Sequence, residues 1–151
     1  MLFGALKFIH VVSVIVWVGG IITMTLLNMR LARVREGGAQ ATLAQLGGFV
    51  GRAVFLPAAG LTFLAGLATG LSAGFQMNSL WIIWGFAVIV LSMVLTNGVM
   101  RPIGARIGAL ASSGQQAQVP PLQSRLLWLS ALNIVLLLSA VWAMIAKPAL
   151  G

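Results

Sequence analysis

The uncharged apolar runs of this chain are what most narrow the folds open to it. A bilayer's hydrocarbon core is roughly 30 Å thick and an α-helix rises about 1.5 Å per residue, so about 20 apolar residues suffice to cross. One such run lies between Lys7 and Arg30 (8–29) and another between Arg125 and Lys147 (126–146), each long enough for one helix and too short for two. The run between Arg52 and Arg101 has twice that length, and its apolar pattern lapses around Gly74, Gln76, Asn78 and Ser79. A polar, glycine-containing lapse of this kind reads as a turn, dividing the run into helices over 53–74 and 80–100. Apolar residues ahead of Lys7 allow the first helix to begin earlier, with Lys7 snorkelling outward. That stretch is too long for a secretory signal peptide, and no small-residue cleavage site follows it. The expectation is an all-α, polytopic membrane four-helix bundle, a single transmembrane domain over 1–151 with loops over 30–52 and 101–125.

Charge then orients the bundle. Nine Lys and Arg stand against one acidic residue, Glu36, for a net charge of +8. Such a balance can signal nucleic acid, but here the basic residues sit at the ends of apolar runs, as membrane anchors do. No nucleic-acid partner is expected; the lipid bilayer is. All the basic residues except Lys7 and Lys147 fall in the 30–52 and 101–125 loops or at their edges, which places both loops in the cytoplasm and both termini outside. Trp81, Trp84 and Trp142 near the outer ends and Trp128 near an inner end fit an aromatic belt, with Trp17 the exception.

The same poverty of polar groups limits the chemistry. Cysteine is absent, which removes disulfides, thiolate metal sites and thiol nucleophiles. One His and one Glu cannot supply a multi-ligand metal site, a paired-carboxylate mechanism or a Ser-His-Asp triad from one protomer.

Loop one carries Gly37-Gly38 and Gly47-Gly48 around a short helical stretch over 40–46, expected at the membrane surface. Loop three opens on Arg101-Pro102, a favourable helix start, and places Ile103, Ile107 and Leu110 on one face of an amphipathic helix through Ala111. A polar linker over 112–118, closed by Pro120-Pro121, follows.

Helix faces narrow the candidates. In the first helix, His10, Ser13, Trp17, Gly20, Met24 and Asn28 recur every three or four residues and share one face, which should point into the bundle because it carries the polar groups. In the second helix, Gly66, Gly70 and Gly74 form a small-residue stripe suited to close helix packing, within the bundle or between copies. Asn28, Asn97 and Asn133 fall at comparable depth on three helices, with Arg52 and Arg101 nearby in sequence. One reading is a hydrogen-bonded polar layer, worth about 0.6 kcal/mol per contact. The other is a cytoplasm-facing vestibule for an anion or lipid head group.

LKFIHVVSVIVWVGG (Leu6–Gly20), LPAAGLTFLAGLATGL (Leu56–Leu71) and RPI (Arg101–Ile103) resemble segments of a family of bacterial four-helix integral membrane proteins known only as a domain of unknown function. That resemblance implies the bacterial inner membrane. The His-then-Trp-Gly-Gly arrangement is also similar to first helices of CopD-like copper-resistance proteins and HemJ-like protoporphyrinogen oxidases. It implies copper or haem at His10. The sequence departs from the HemJ-like pattern, since no Lys lies between Lys7 and Lys147.

Three functions follow as expectations. The first is a non-catalytic bundle, acting as an accessory subunit of a membrane complex or as a homo-oligomer. The second is a b-type haem protein with His10 as axial ligand, Trp17 beside it, and Met144, Met77, a partner chain or nothing at the second axial position. The third is copper handling through His10 with Met24, Met77 and Met144, or a small channel or carrier.

Overall fold

The computed structural model describes residues 1–31, 37–76 and 78–147; Arg33, Arg35, Glu36 and Met77 lie outside them. It is all-helical: α1 (Leu2–Leu31), α2 (Gly37–Val50), α3 (Leu56–Ser72), α4 (Leu80–Val94), α5 (Arg101–Ser112) and α6 (Val119–Ala146). A π turn over Gly51–Phe55 joins α2 to α3 without a break, and a second over Leu95–Met100 joins α4 to α5. Four continuous helices, Leu2–Arg30, Gly38–Ser72, Leu80–Ser112 and Gln116–Ala146, are long and apolar enough to cross a membrane.

These helices outrun the spans read from the apolar runs. Gly38–Ser72 holds 35 residues and Leu80–Ser112 holds 33, about 50 Å each at about 1.5 Å per residue against a core of roughly 30 Å. A basic residue ends an apolar run but not a helix, so Arg52 and Arg101 sit inside continuous helices with α2 and α5 as extensions. Pro57 and Pro102 show how the helix continues. Proline lacks an N–H and crowds the carbonyl four residues back, which ordinarily breaks a helix. Here the residue before each proline reaches one position further back: Leu56 N–H donates to Gly51 C=O and Arg101 N–H to Thr96 C=O. Widening the turn makes room for the ring, and π turns of this kind often mark functional sites. Pro57 is therefore mid-helix rather than in a first turn. Pro120 and Pro121 do occupy a first turn, that of α6, where no N–H is needed. They start that helix well ahead of residue 126 instead of closing a linker.

Packing forms two layers. Trp17, Val18 and Ile21 of α1, Ala58 and Ala59 of α3, Val88 and Ile89 of α4, and Leu137 and Ala140 of α6 make the core of the four-helix layer. In it α1 lies along α3 and α6 along α4, with α1 and α6 also in contact. Beyond it α2 packs on α5, closely enough that a Cβ on Gly108 would fall 2.8 Å from Ala44 Cβ. Ile107 of α5 with Val119 and Leu126 of α6 forms a second core, flanked by Ile103 and Leu110. The apolar face expected of the amphipathic helix after Arg101 thus packs within the protein, with Ile107 buried and Ile103 and Leu110 partly so.

Gly74 plays a different part from the one its spacing suggested. It has φ +65°, its N–H bonds Leu71 C=O, and Phe75 N–H bonds Gly70 C=O. That left-handed cap ends α3, and nothing lies within 4 Å of where a Cβ would stand. Gly74 is a helix stop rather than a packing residue.

Candidate functional site

Where the two layers meet, the two π turns and the ends of α1 and α6 leave an open cavity of about 900 Å³. Its floor is apolar, made by Trp17, Ile21, Phe55 and Ala59. Its walls carry Asn28 from α1, Arg52 from the first π turn, Ser92 from α4, Thr96 and Asn97 from the second π turn, Arg101 from α5, and Gln123, Ser130 and Asn133 from α6. The register shift at each π turn determines which side chains line it. Arg52 lies within one such turn and Arg101 directly follows the other.

The polar groups of this cavity are unevenly satisfied. Thr25 bonds Ile21 C=O and Ser130 bonds Leu126 C=O, the usual way a hydroxyl is satisfied within its own helix. Gln123 Nε2 donates to the Asn28 carbonyl at 3.4 Å. Asn97 Nδ2 donates to Met93 C=O of its own helix. Asn133 Nδ2 donates to Thr96 Oγ1 at 3.4 Å, while Asn133 Oδ1 has no partner. Ser92 Oγ has none either. Both residues are 0 % exposed, and a buried polar group without a partner costs about 1–3 kcal/mol. The three asparagines thus line one space without bonding one another, which is not the paired layer that was one of the two readings of them. The side chains of Arg52 and Arg101 are exposed, and no acidic side chain stands among the described residues to neutralise either.

A model of the family described as "Predicted integral membrane protein (DUF2269)" matches residues 4–148. The chain belongs to that family. The resemblance to an uncharacterised family of integral membrane proteins therefore stands on nearly the whole chain rather than on three short motifs. No curated protein and no solved structure matches it, so the CopD-like and HemJ-like likenesses gain no support.

Of Trp17, His10 and Met144, expected at a haem, only Trp17 lines this cavity. Trp17, 4 % exposed, belongs to the core and the cavity floor. His10 turns to α3, where its Nδ1 lies 2.8 Å from Thr62 C=O. A carbonyl only accepts, so Nδ1 carries the proton. The imidazole lies against Gly66, where a Cβ would fall 2.9 Å from His10 Cε1. Met144 turns to α4 and closes on Gly85. Neither His10 nor Met144 lines this cavity, and Met77 lies outside the described residues. For copper, Met24 lines the cavity apart from His10, and among the described residues no three His, Cys, Asp or Glu side chains cluster.

Of the glycine stripe, Gly66 receives the His10 ring and Gly70 is buried on α3. The α1 stripe does face inward: Ser13 and Trp17 are buried, Phe55 lies over Gly20, and Met24 and Asn28 reach the cavity. Ser92, Thr96, Gln123 and Ser130 escaped the sequence reading. For Gln123 and Ser130 the signal was present on α6, where Gln123, Leu126, Ser130, Asn133, Leu137 and Ala140 alternate by three and four and are all buried, a single inward face.

Proposed function

We propose that this protein is a non-catalytic membrane bundle that binds a phosphate-bearing anionic ligand in the cavity between its two layers. The observation that carries this reading is the pairing of Arg52 and Arg101, without an acidic side chain among the described residues, with the unpartnered Ser92 Oγ and Asn133 Oδ1 in the same walls. Arginine suits the task because its planar fork of donors matches the oxygens of a phosphate two at a time, and its charge persists at any physiological pH. Serine can donate or accept, so Ser92 and Asn133 complement a ligand that brings hydroxyls as well as charge. The site offers no nucleophile with an adjacent base, which supports binding rather than turnover.

The arginine end faces the cytoplasm of a bacterial inner membrane in this reading, with both termini outside, because basic residues concentrate on the cytoplasmic side. An accessory-subunit or homo-oligomer role loses one of its supports at Gly66, whose surface is taken by His10 of the same chain.

Thermal unfolding in neutral detergent tests the proposal. Glycerol phosphate, or its short-chain diacyl form, is expected to raise the unfolding midpoint of the wild type and to leave that of Arg52→Gln/Arg101→Gln unchanged. Both arginines are exposed, so the variant should fold. A wild type that neither probe stabilises would overturn the reading.

A further inference from the structure

Resting on that reading, we infer that the ligand is an anionic phospholipid taken up sideways from the bilayer, its headgroup in the cavity and its acyl chains in a groove between α1 and α6. The groove is a second open space of about 1060 Å³, lined by Ile22 and Leu26 of α1 and by Leu127, Trp128, Ala131 and Val135 of α6. It lies beside the arginine-bearing cavity, the two sharing Thr25, Gln40 and Gln123 in their linings. Leu26, Trp128 and Val135 are 57 %, 76 % and 64 % exposed and lie in helices long and apolar enough to span, which gives the groove an apolar rim open to the side, while Gln116, Gln123 and Ser124 line its other end. A polar, positively charged chamber adjoining a mainly apolar trough has the division of a phospholipid: charge and hydroxyls at one end, chains at the other. A free phosphate would use only the first.

The charge balance selects the headgroup. Two arginines without an acidic neighbour favour an anionic lipid over a zwitterionic one, each basic residue near the surface adding about fivefold to affinity. Asn133 Oδ1 only accepts, so its buried vacancy calls for a donor, which ionised phosphate oxygens lack and a glycerol headgroup has.

Native mass spectrometry of the delipidated full chain decides between the sources. Phosphatidylglycerol is expected to bind one per chain and roughly thirtyfold more tightly than phosphatidylcholine, the product of two arginine contributions. Arg52→Gln/Arg101→Gln should erase that preference. Ala131→Phe and Val135→Trp, two substitutions at exposed positions that fill the groove, should each weaken phosphatidylglycerol severalfold while sparing soluble glycerol phosphate. Glycerol phosphate binding as tightly as the lipid, with both groove variants silent, would overturn the lipid inference and leave the anion site intact. Equal binding of the two lipids would overturn it as well, since that is the behaviour of ordinary surrounding lipid. Binding by neither lipid nor glycerol phosphate would remove the anion site itself.

Discussion

His10 and Gly66 illustrate how an isolated polar residue is housed among helices that have little hydrophobic reason to associate in lipid. The imidazole bonds Thr62 C=O across the α1–α3 contact, and the missing side chain at Gly66 is the space it occupies. Two opposing effects act on Gly66→Ala. Helix propensity favours alanine by about 1 kcal/mol, while the new Cβ crowds a packed ring, a change that costs about 1–3 kcal/mol. Crowding should win in the wild type. In a His10→Ala background the ring is gone and only the propensity gain remains, so the same substitution should stabilise. Unfolding of the four proteins of this cycle in detergent checks the sign reversal; equal effects in both backgrounds would show that ring and glycine do not meet. At this scale the sequence was partly legible. Recurrence by three and four put His10, Trp17 and Asn28 on an inward face, and that is where Trp17 and Asn28 reach the cavity. It could not tell that His10 turns to α3 and Met144 to α4, because rotamers follow from the neighbour's shape, here from Gly66 and Gly85.

At the scale of elements, the two proline-linked π turns connect local chemistry to the site. Each shifts helical register by one residue, about 100° of rotation and 1.5 Å of rise, and so fixes how α2 and α5 face each other over the cavity. Pro57→Leu and Pro102→Leu restore the missing N–H and permit an ordinary α turn. The expected outcome is a rotated α2 or α5 with helix content unchanged by circular dichroism. Cysteines at positions 44 and 108 report it, since the chain has no cysteine of its own. Their Cβ positions nearly touch and need only slight separation to reach the roughly 3.5–4.5 Å of a disulfide. Oxidative cross-linking of that pair should fall severalfold when either proline is replaced. Undiminished cross-linking would mean that packing, not proline, holds the register. Sequence placed four spans but missed α2 and α5 as extensions, since charge at Arg52 and Arg101 marks a membrane boundary and carries no information about where hydrogen bonding stops. The glycines at 37, 38, 47 and 48 looked like breakers for a related reason: their helical cost is local, whereas the contact of α2 with α5 that offsets it is long-range.

For the whole molecule, charge, aromatic residues and helix length agree on one disposition. Arg52 and Arg101 lie at the arginine end with Arg30 and Arg125, whereas Lys7 and Lys147 lie at the other, where Lys147 Nζ sits 5.0 Å over the Phe75 ring and 5.7 Å over Trp81. Trp84, Trp128 and Trp142 are exposed toward the two ends of the spans, while Trp17 is buried in the core, which accounts for its departure from the belt. From Arg52 to Ser72, and again from Leu80 to Arg101, the helix is about as long as the hydrocarbon core is thick. The remaining lengths, α2 and α5, extend past that span on the arginine side, where they line the cavity. In the proposed orientation, which rests on the positive-inside rule, this side is cytoplasmic, and a ligand bound there would be presented to the cytoplasm or to its leaflet. Reporter fusions after Gly38 and Gly114 should read cytoplasmic, and fusions after Gly74 and Gly151 should read external. Cytoplasmic signal at Gly74 or Gly151 would invert the bundle. The arginine cavity would then face outward, and any lipid it holds would come from the outer leaflet.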